Sequence, residues 1–76
     1  MMAAKPNEPV LVTGPGLEGK NFSDVGPAIS CAITHACRRG DDDRTYYVRV
    51  EDVVRHRVVR NGAARTVTVE RVAVAP

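Results

Sequence analysis

Two rhythms of apolar residues divide this chain. Between residues 24 and 39, Val25, Ala28, Ile29, Ala32, Ile33 and Ala36 follow the spacing that gathers one apolar stripe on one face of a helix. The flanks agree with a helix there. Ser23 or Asp24 can cap its start, and Pro27 falls in the first turn, where a missing N–H is tolerated. Arg38 and Arg39 suit the negative end of the helix dipole, and Gly40 is a natural stop. A stripe made mostly of alanine must lie close against what it covers, and a small sheet is the obvious partner.

After Asp41-Asp42-Asp43 the rhythm becomes an alternation. Tyr46, Val48, Val50, Asp52, Val54, His56 and Val58 point one way, and Tyr47, Arg49, Glu51, Val53, Arg55, Arg57 and Val59 the other. This predicts one long strand over 45–60, bent at Asp52. Asn61-Gly62 is the preferred dipeptide for a two-residue type I′ turn. That turn sets Arg60 opposite Ala63, Val54 opposite Val69, Val50 opposite Ala73 and Asp52 opposite Arg71, the last an opposed charge pair that supports the register. Upstream, "PVLVT" (9–13) reads as a short strand with Pro9 at its first position. Residues 1–8 read as a loose tail and 9–76 as a single domain. The expected class is α+β: a β-α-β-β domain with a long C-terminal hairpin and one helix packed on one face of the sheet.

Length changes the picture by limiting stability. A chain of 76 residues buries only about 60% of the surface its unfolded form exposes. With two cysteines, one phenylalanine and no tryptophan the core is weak, so a homo-oligomer is expected. No apolar run reaches the ~18 residues that span a membrane, and Met1 opens no basic-then-apolar leader, so the expectation is a cytoplasmic protein without membrane contact.

The net charge of +2 is unevenly distributed. Residues 1–37 hold two lysines against three acids, a balance of −1, whereas residues 38–76 hold nine arginines against six acids, a balance of +3. The long strand and its turn gather Arg49, Arg55 and Arg57 on one sheet face, with Thr66 and Thr68 opposite the last two. Forked guanidinium donors beside hydroxyls suit phosphate oxygens, so these five residues are the candidate anion-binding set. Tyr46 and Tyr47 are candidates for stacking on a base or a flat ring.

Other motifs are weaker. "GPGLEGK" (14–20) fits parts of two phosphate-loop templates, yet Asn21 stands where a P-loop needs a hydroxyl, and the best helix start lies later than the loop requires. It reads as a glycine-permitted turn joining a strand to a helix. Cys31 and His35 are one helical turn apart, but Cys37 falls on the far edge of the stripe, so no metal site and no cofactor are expected. The triple aspartate lacks the glycine and distal glutamate of a calcium loop. No nucleophile, base and orienting group converge, which argues against an enzyme.

The order strand, helix, long strand, long strand over residues 9–74 resembles the dodecins, small flavin-binding proteins that assemble into hollow dodecamers. The resemblance is one of layout and implies flavin storage; dodecins stack the flavin on a tryptophan, which this chain lacks, so Tyr46 or Tyr47 would take that place. Three functions follow from the sequence. The first is a non-enzymatic oligomeric module offering an arginine-rich face to a nucleotide, nucleic acid or acidic protein. The others are a dodecin-like ligand store and a structural component of a virion or shell.

Overall fold

The computed structural model describes residues 10–38 and 42–73. The expected tail, Pro9, Arg39, Gly40 and Asp41 lie outside those residues. The α+β class holds, with one helix against one face of an antiparallel sheet. In chain order the elements are β1 (Val10–Gly14), β2 (Leu17–Phe22), α1 (Val25–Ala36), β3 (Arg44–Val50), β4 (Val53–Asn61) and β5 (Thr66–Arg71). The sheet runs β2-β1-β3-β4-β5.

The helix is the one its stripe specifies. Ala28, Ala32 and Ala36 are fully buried, and Val25, Ile29 and Ile33 flank them, half-buried. Methyl groups let the helix axis come close to Val10 and Val12 of β1, Val48 and Val50 of β3 and Val58 of β4, which complete the core with Tyr46. The helix starts at Val25 with Asp24 as N-cap residue, whose side chain makes no capping bond.

Its last carbonyls are held by arginines reaching up from the sheet. Nη1 of Arg60 donates to the carbonyl of Ala36 at 2.8 Å, and Nη1 of Arg44 to that of His35 at 3.4 Å. Arg44 and Arg60 stand directly opposite each other in β3 and β4. Two like charges are tolerated at that pair because each meets the negative end of the helix.

The sheet has two more strands than the alternation predicts, for two separate reasons. The first is at the glycine loop. Gly14 pairs with Leu17, and Pro15-Gly16 forms a two-residue turn with Gly16 at φ 75°, the positive φ that a type II turn requires at its third position. The loop therefore joins two strands rather than a strand and a helix. "LEGKNF" pairs with β1 although its middle four residues are exposed and polar, so no alternation announces it.

The second reason is a turn within the expected long strand. Glu51 and Asp52 adopt φ 52° and 67°, a type I′ turn that sets Val50 opposite Val53. The segment 45–60 is thus a hairpin. Asn61-Gly62 also turns the chain, but over residues 62–65, and Asn61 pairs with Thr66. The Asn61 side chain accepts from the Ala64 N–H at 3.0 Å, while the Gly62 N–H donates to Asp43 at 2.8 Å. These two bonds stabilise the wider loop over the two-residue one.

The expected pairings are corrected accordingly. Val58, not Val54, faces Val69; His56, not Asp52, faces Arg71; Val54 faces Arg49 on β3. The dodecin layout of one strand before the helix and two long ones after it is not the layout found.

Gly14 has a packing role that the phosphate-loop reading leaves out. A Cβ built there would lie 2.3 Å from Cδ2 of Tyr46, inside the ring's own space. The Tyr46 hydroxyl then donates to the Pro15 carbonyl at 2.8 Å, so the ring is held flat along the turn. We expect Gly14→Ala to destabilise the fold by about 1–3 kcal/mol through overpacking, lowering Tm by about 4–8 °C for each kcal/mol. In a Tyr46→Ala background the added methyl has room and its cost should nearly vanish. Equal costs in both backgrounds by thermal unfolding would show that the ring is not the cause.

Candidate functional site

Pairing across the strands assigns every side chain to a face. The helix side carries Lys20, Phe22, Val10, Val12, Arg44, Tyr46, Val48, Val50, Val53, His56, Val58, Arg60, Val67, Val69 and Arg71. The open side carries Leu11, Thr13, Thr45, Tyr47, Arg49, Val54, Arg57, Val59, Thr66, Thr68 and Glu70.

The five residues expected to bind an anion are therefore not one set. Arg49 and Arg57 do share the open face, with Thr66 and Thr68 further along it. Arg57, however, faces Glu70 rather than Thr66, and its Nε donates to the Glu70 carboxylate at 2.8 Å. Both members are about half exposed, so the pair contributes little stability but does neutralise the guanidinium. Thr68 faces Val59, and Thr66 faces Asn61.

Arg55 is elsewhere. Val48 pairs with His56 and Arg49 with Val54, which leaves Arg55 as an extra residue in β4, a β-bulge. The bulge turns it out of the Arg49–Arg57 row and into a cleft of about 610 Å³ beside the start of the helix. Val25, Val50, Arg55, His56, Arg71, Val72 and Ala73 line this cleft. Val25 is the first helical residue, so the positive end of the helix dipole lies beside two arginines and an imidazole. No carboxylate is among the lining residues, and Arg55 and Arg71 make no ion pair among the described residues. Nδ1 of His56 is buried and has no hydrogen-bond partner among the described residues. Arg71 faces His56 rather than Asp52 and so joins the cleft.

A second cleft of the same size lies at the other end of the helix, lined by Pro15, Gly16, His35, Arg38, Asp42, Arg44 and Tyr46. Its cationic groups are more engaged. Arg44 holds a helix carbonyl, and Asp42 supplies a carboxylate to the same wall. Tyr46 is only 1% exposed and bonded to Pro15, so it is a core residue and no stacking platform. Tyr47 is the exposed member of the pair, on the open face between Thr13 and Arg57.

Lys20 sits in β2 with its ammonium 5.8 Å from the Phe22 ring centroid, away from any helix start. Cys31 is half-buried, Cys37 is exposed, and among the described residues no three His, Cys, Asp or Glu side chains gather as metal ligands. None of the helices described is long and apolar enough to cross a membrane.

No family model matches the chain, and no curated protein or solved structure is significantly similar to it.

His35, on the wall of the second cleft, has a pKa below its ordinary value of 6.5, mainly through partial burial, with the positive charges of Arg38 and Lys20 acting in the same direction. The fold thus favours the neutral imidazole. A depressed histidine contributes stability that is fully present above the unfolded value and is lost as pH falls below about 6.5 through the lower folded value. We expect Tm to decline less between neutral pH and about pH 5 in His35→Gln than in the parent protein. Parallel declines would remove His35 from the acid response.

Proposed function

We propose that this protein is a small, non-enzymatic binding module for a phosphate-bearing ligand of nucleotide size, working as a homo-oligomer. The observation that carries the reading is the convergence of Arg55, His56 and Arg71 on one cleft that no carboxylate lines among the described residues. Guanidinium groups gathered on one wall raise the local positive potential, and their forked donors match phosphate oxygens.

The rest of the cleft supports a ligand with an organic body. Val25, Val50, Val72 and Ala73 give it an apolar wall, and about 610 Å³ lies within the range of small-molecule sites. A concave site beside the helix end suits one phosphate group better than the regular backbone of a nucleic acid. The open sheet face is the weaker candidate, because Glu70 already neutralises Arg57 and leaves Arg49 as its remaining arginine donor. Among the described residues that line the cleft the polar groups are guanidinium and imidazole, with no hydroxyl or thiol beside them, which favours binding over nucleophilic catalysis.

The test is calorimetric titration of the protein with a panel of nucleotides and short oligonucleotides at two salt concentrations. Arg55→Ala and Arg71→Ala should each weaken nucleotide binding by about tenfold or more, the loss of a charge-assisted hydrogen bond. Arg57→Ala should leave it nearly unchanged. The opposite pattern, loss in Arg49→Ala and Arg57→Ala alone, would return the site to the open face. A parent protein that binds no member of the panel would end the anion-binding reading in favour of an assembly role.

A further inference from the structure

We infer that the free edge of β5 pairs with the β5 of a second copy, antiparallel and centred on Val69, to form a continuous ten-strand sheet. The inference rests on the oligomeric part of the reading above and not on the cleft.

The two edges of the sheet differ. On β2 the pairing with β1 is broken by a bulge between Val12 and Gly14, Gly19 sits at φ 124°, and Glu18 and Lys20 interrupt the strand. Such features discourage a foreign strand. β5 is less guarded: "TVTVER" contains no proline, glycine or lysine, its two charges, Glu70 and Arg71, stand together at its end, and its pairing with β4 runs without irregularity from Thr66 to Arg71.

The direction of its unpaired groups follows from the ladder. The Val72 N–H donates to the Arg55 carbonyl at 2.9 Å, so in the same register residues 66, 68, 70 and 72 bond inward to β4. The N–H and C=O groups of Val67, Val69 and Arg71 therefore point outward from the edge. Val69 is also 42% exposed on the helix side, where the helix packs over β1 to β4 and leaves β5 at the rim. An unguarded edge and an uncovered apolar row coincide on one strand.

Symmetry and charge choose the occupant and its register. A two-fold pair of antiparallel edge strands has its axis perpendicular to the sheet, so each residue meets a partner of its own face. Centred on Val69, the pairing sets Val69 against Val69 of the second copy, Val67 against Arg71 and Thr68 against Glu70. All the outward groups of residues 67, 69 and 71 are then satisfied, and no like charges meet. Centring on Thr68 would set Arg65 against Arg71, and centring on Glu70 would set Glu70 against itself, both unfavourable. Centring on Val67 would leave Glu70 and Arg71 opposite the turn, so the Val69 register is the one that pairs the strand along its length without like charges, and this self-complementarity favours a second copy over an unrelated strand. The valines of both copies then form one apolar row between the two helices.

An interface of one strand edge is small, so the dimer should be reversible and depend on concentration. Sedimentation velocity of the full chain up to about 100 µM tests it. Val69→Pro removes only an outward N–H and leaves the ladder to β4 intact, so the variant should be monomeric with an unchanged far-ultraviolet circular dichroism spectrum. Val69→Lys keeps the N–H but places a charge against its own copy, and it should be monomeric too, which decides the matter should the proline variant unfold. A parent monomer throughout the range would overturn both this inference and the oligomeric reading. A parent oligomer that both variants retain, or one that Tyr47→Glu on the open face disrupts instead, would overturn the edge pairing alone.

Discussion

A helix of 12 residues has to cover a five-strand sheet, and most of this molecule follows from the shortfall. Such a helix is about 18 Å long and about 10 Å wide, against a sheet about 19 Å across its strands. It shields the middle of one face and nothing of the other. To bury enough with so little, it must come close, which is why its contact stripe is alanine and why the sheet beneath is valine. Among the described residues Tyr46 is the largest side chain fully buried, and it lies where Gly14 leaves room for its ring. The core thus depends on small residues at the points of closest approach, and adding bulk at either Gly14 or Ala32 would lift one layer off the other.

The ends of that helix explain where the charges go. A helix terminus leaves backbone groups unsatisfied, and a helix perched on a wide sheet has sheet side chains within reach of both ends. At the C-terminal end Arg44 and Arg60 donate to carbonyls of the last turn. At the N-terminal end there is no side-chain cap, and Arg55, His56 and Arg71 surround the opening beside Val25. Arginines that look like a uniform bias along the second half of the chain are sorted by the fold into helix anchors, a surface ion pair with Glu70 and a cationic cleft. Of these groups the cleft arginines are the ones without a partner among the described residues, and Arg49 stands apart on the open face.

Legibility in the sequence was uneven for physical reasons. The helix was legible because its period is fixed by six apolar residues that all meet the same sheet. β2 was not, because an edge strand with its middle residues in water needs no alternation. The Asn61-Gly62 turn was located correctly but given the wrong width, since the side chain of Asn61 and the carboxylate of Asp43 draw the chain into a longer loop. The resulting register was wrong by four positions, Val58 for Val54 opposite Val69. Four is even, so every β5 side chain kept its face.

The more instructive error lies between Val50 and His56. A two-residue turn reverses the relation between residue number and face, so Val53 follows Val50 onto the helix side. The bulge at Arg55 reverses it again, and His56 and Val58 rejoin the numbering that Tyr46, Val48 and Val50 began. Two inversions cancel, and an alternation that spans both reads as one unbroken strand. The cancellation is complete everywhere except inside the interval, where Val54 moves to the open face and Arg55 leaves it. A bulge costs the sheet a ladder bond, and bulges recur where a side chain must be re-aimed. Here the re-aimed residue is an arginine, and it arrives beside Arg71 at the positive end of the only helix described. The same irregularity that hides the hairpin in the sequence assembles the cationic cleft in the fold.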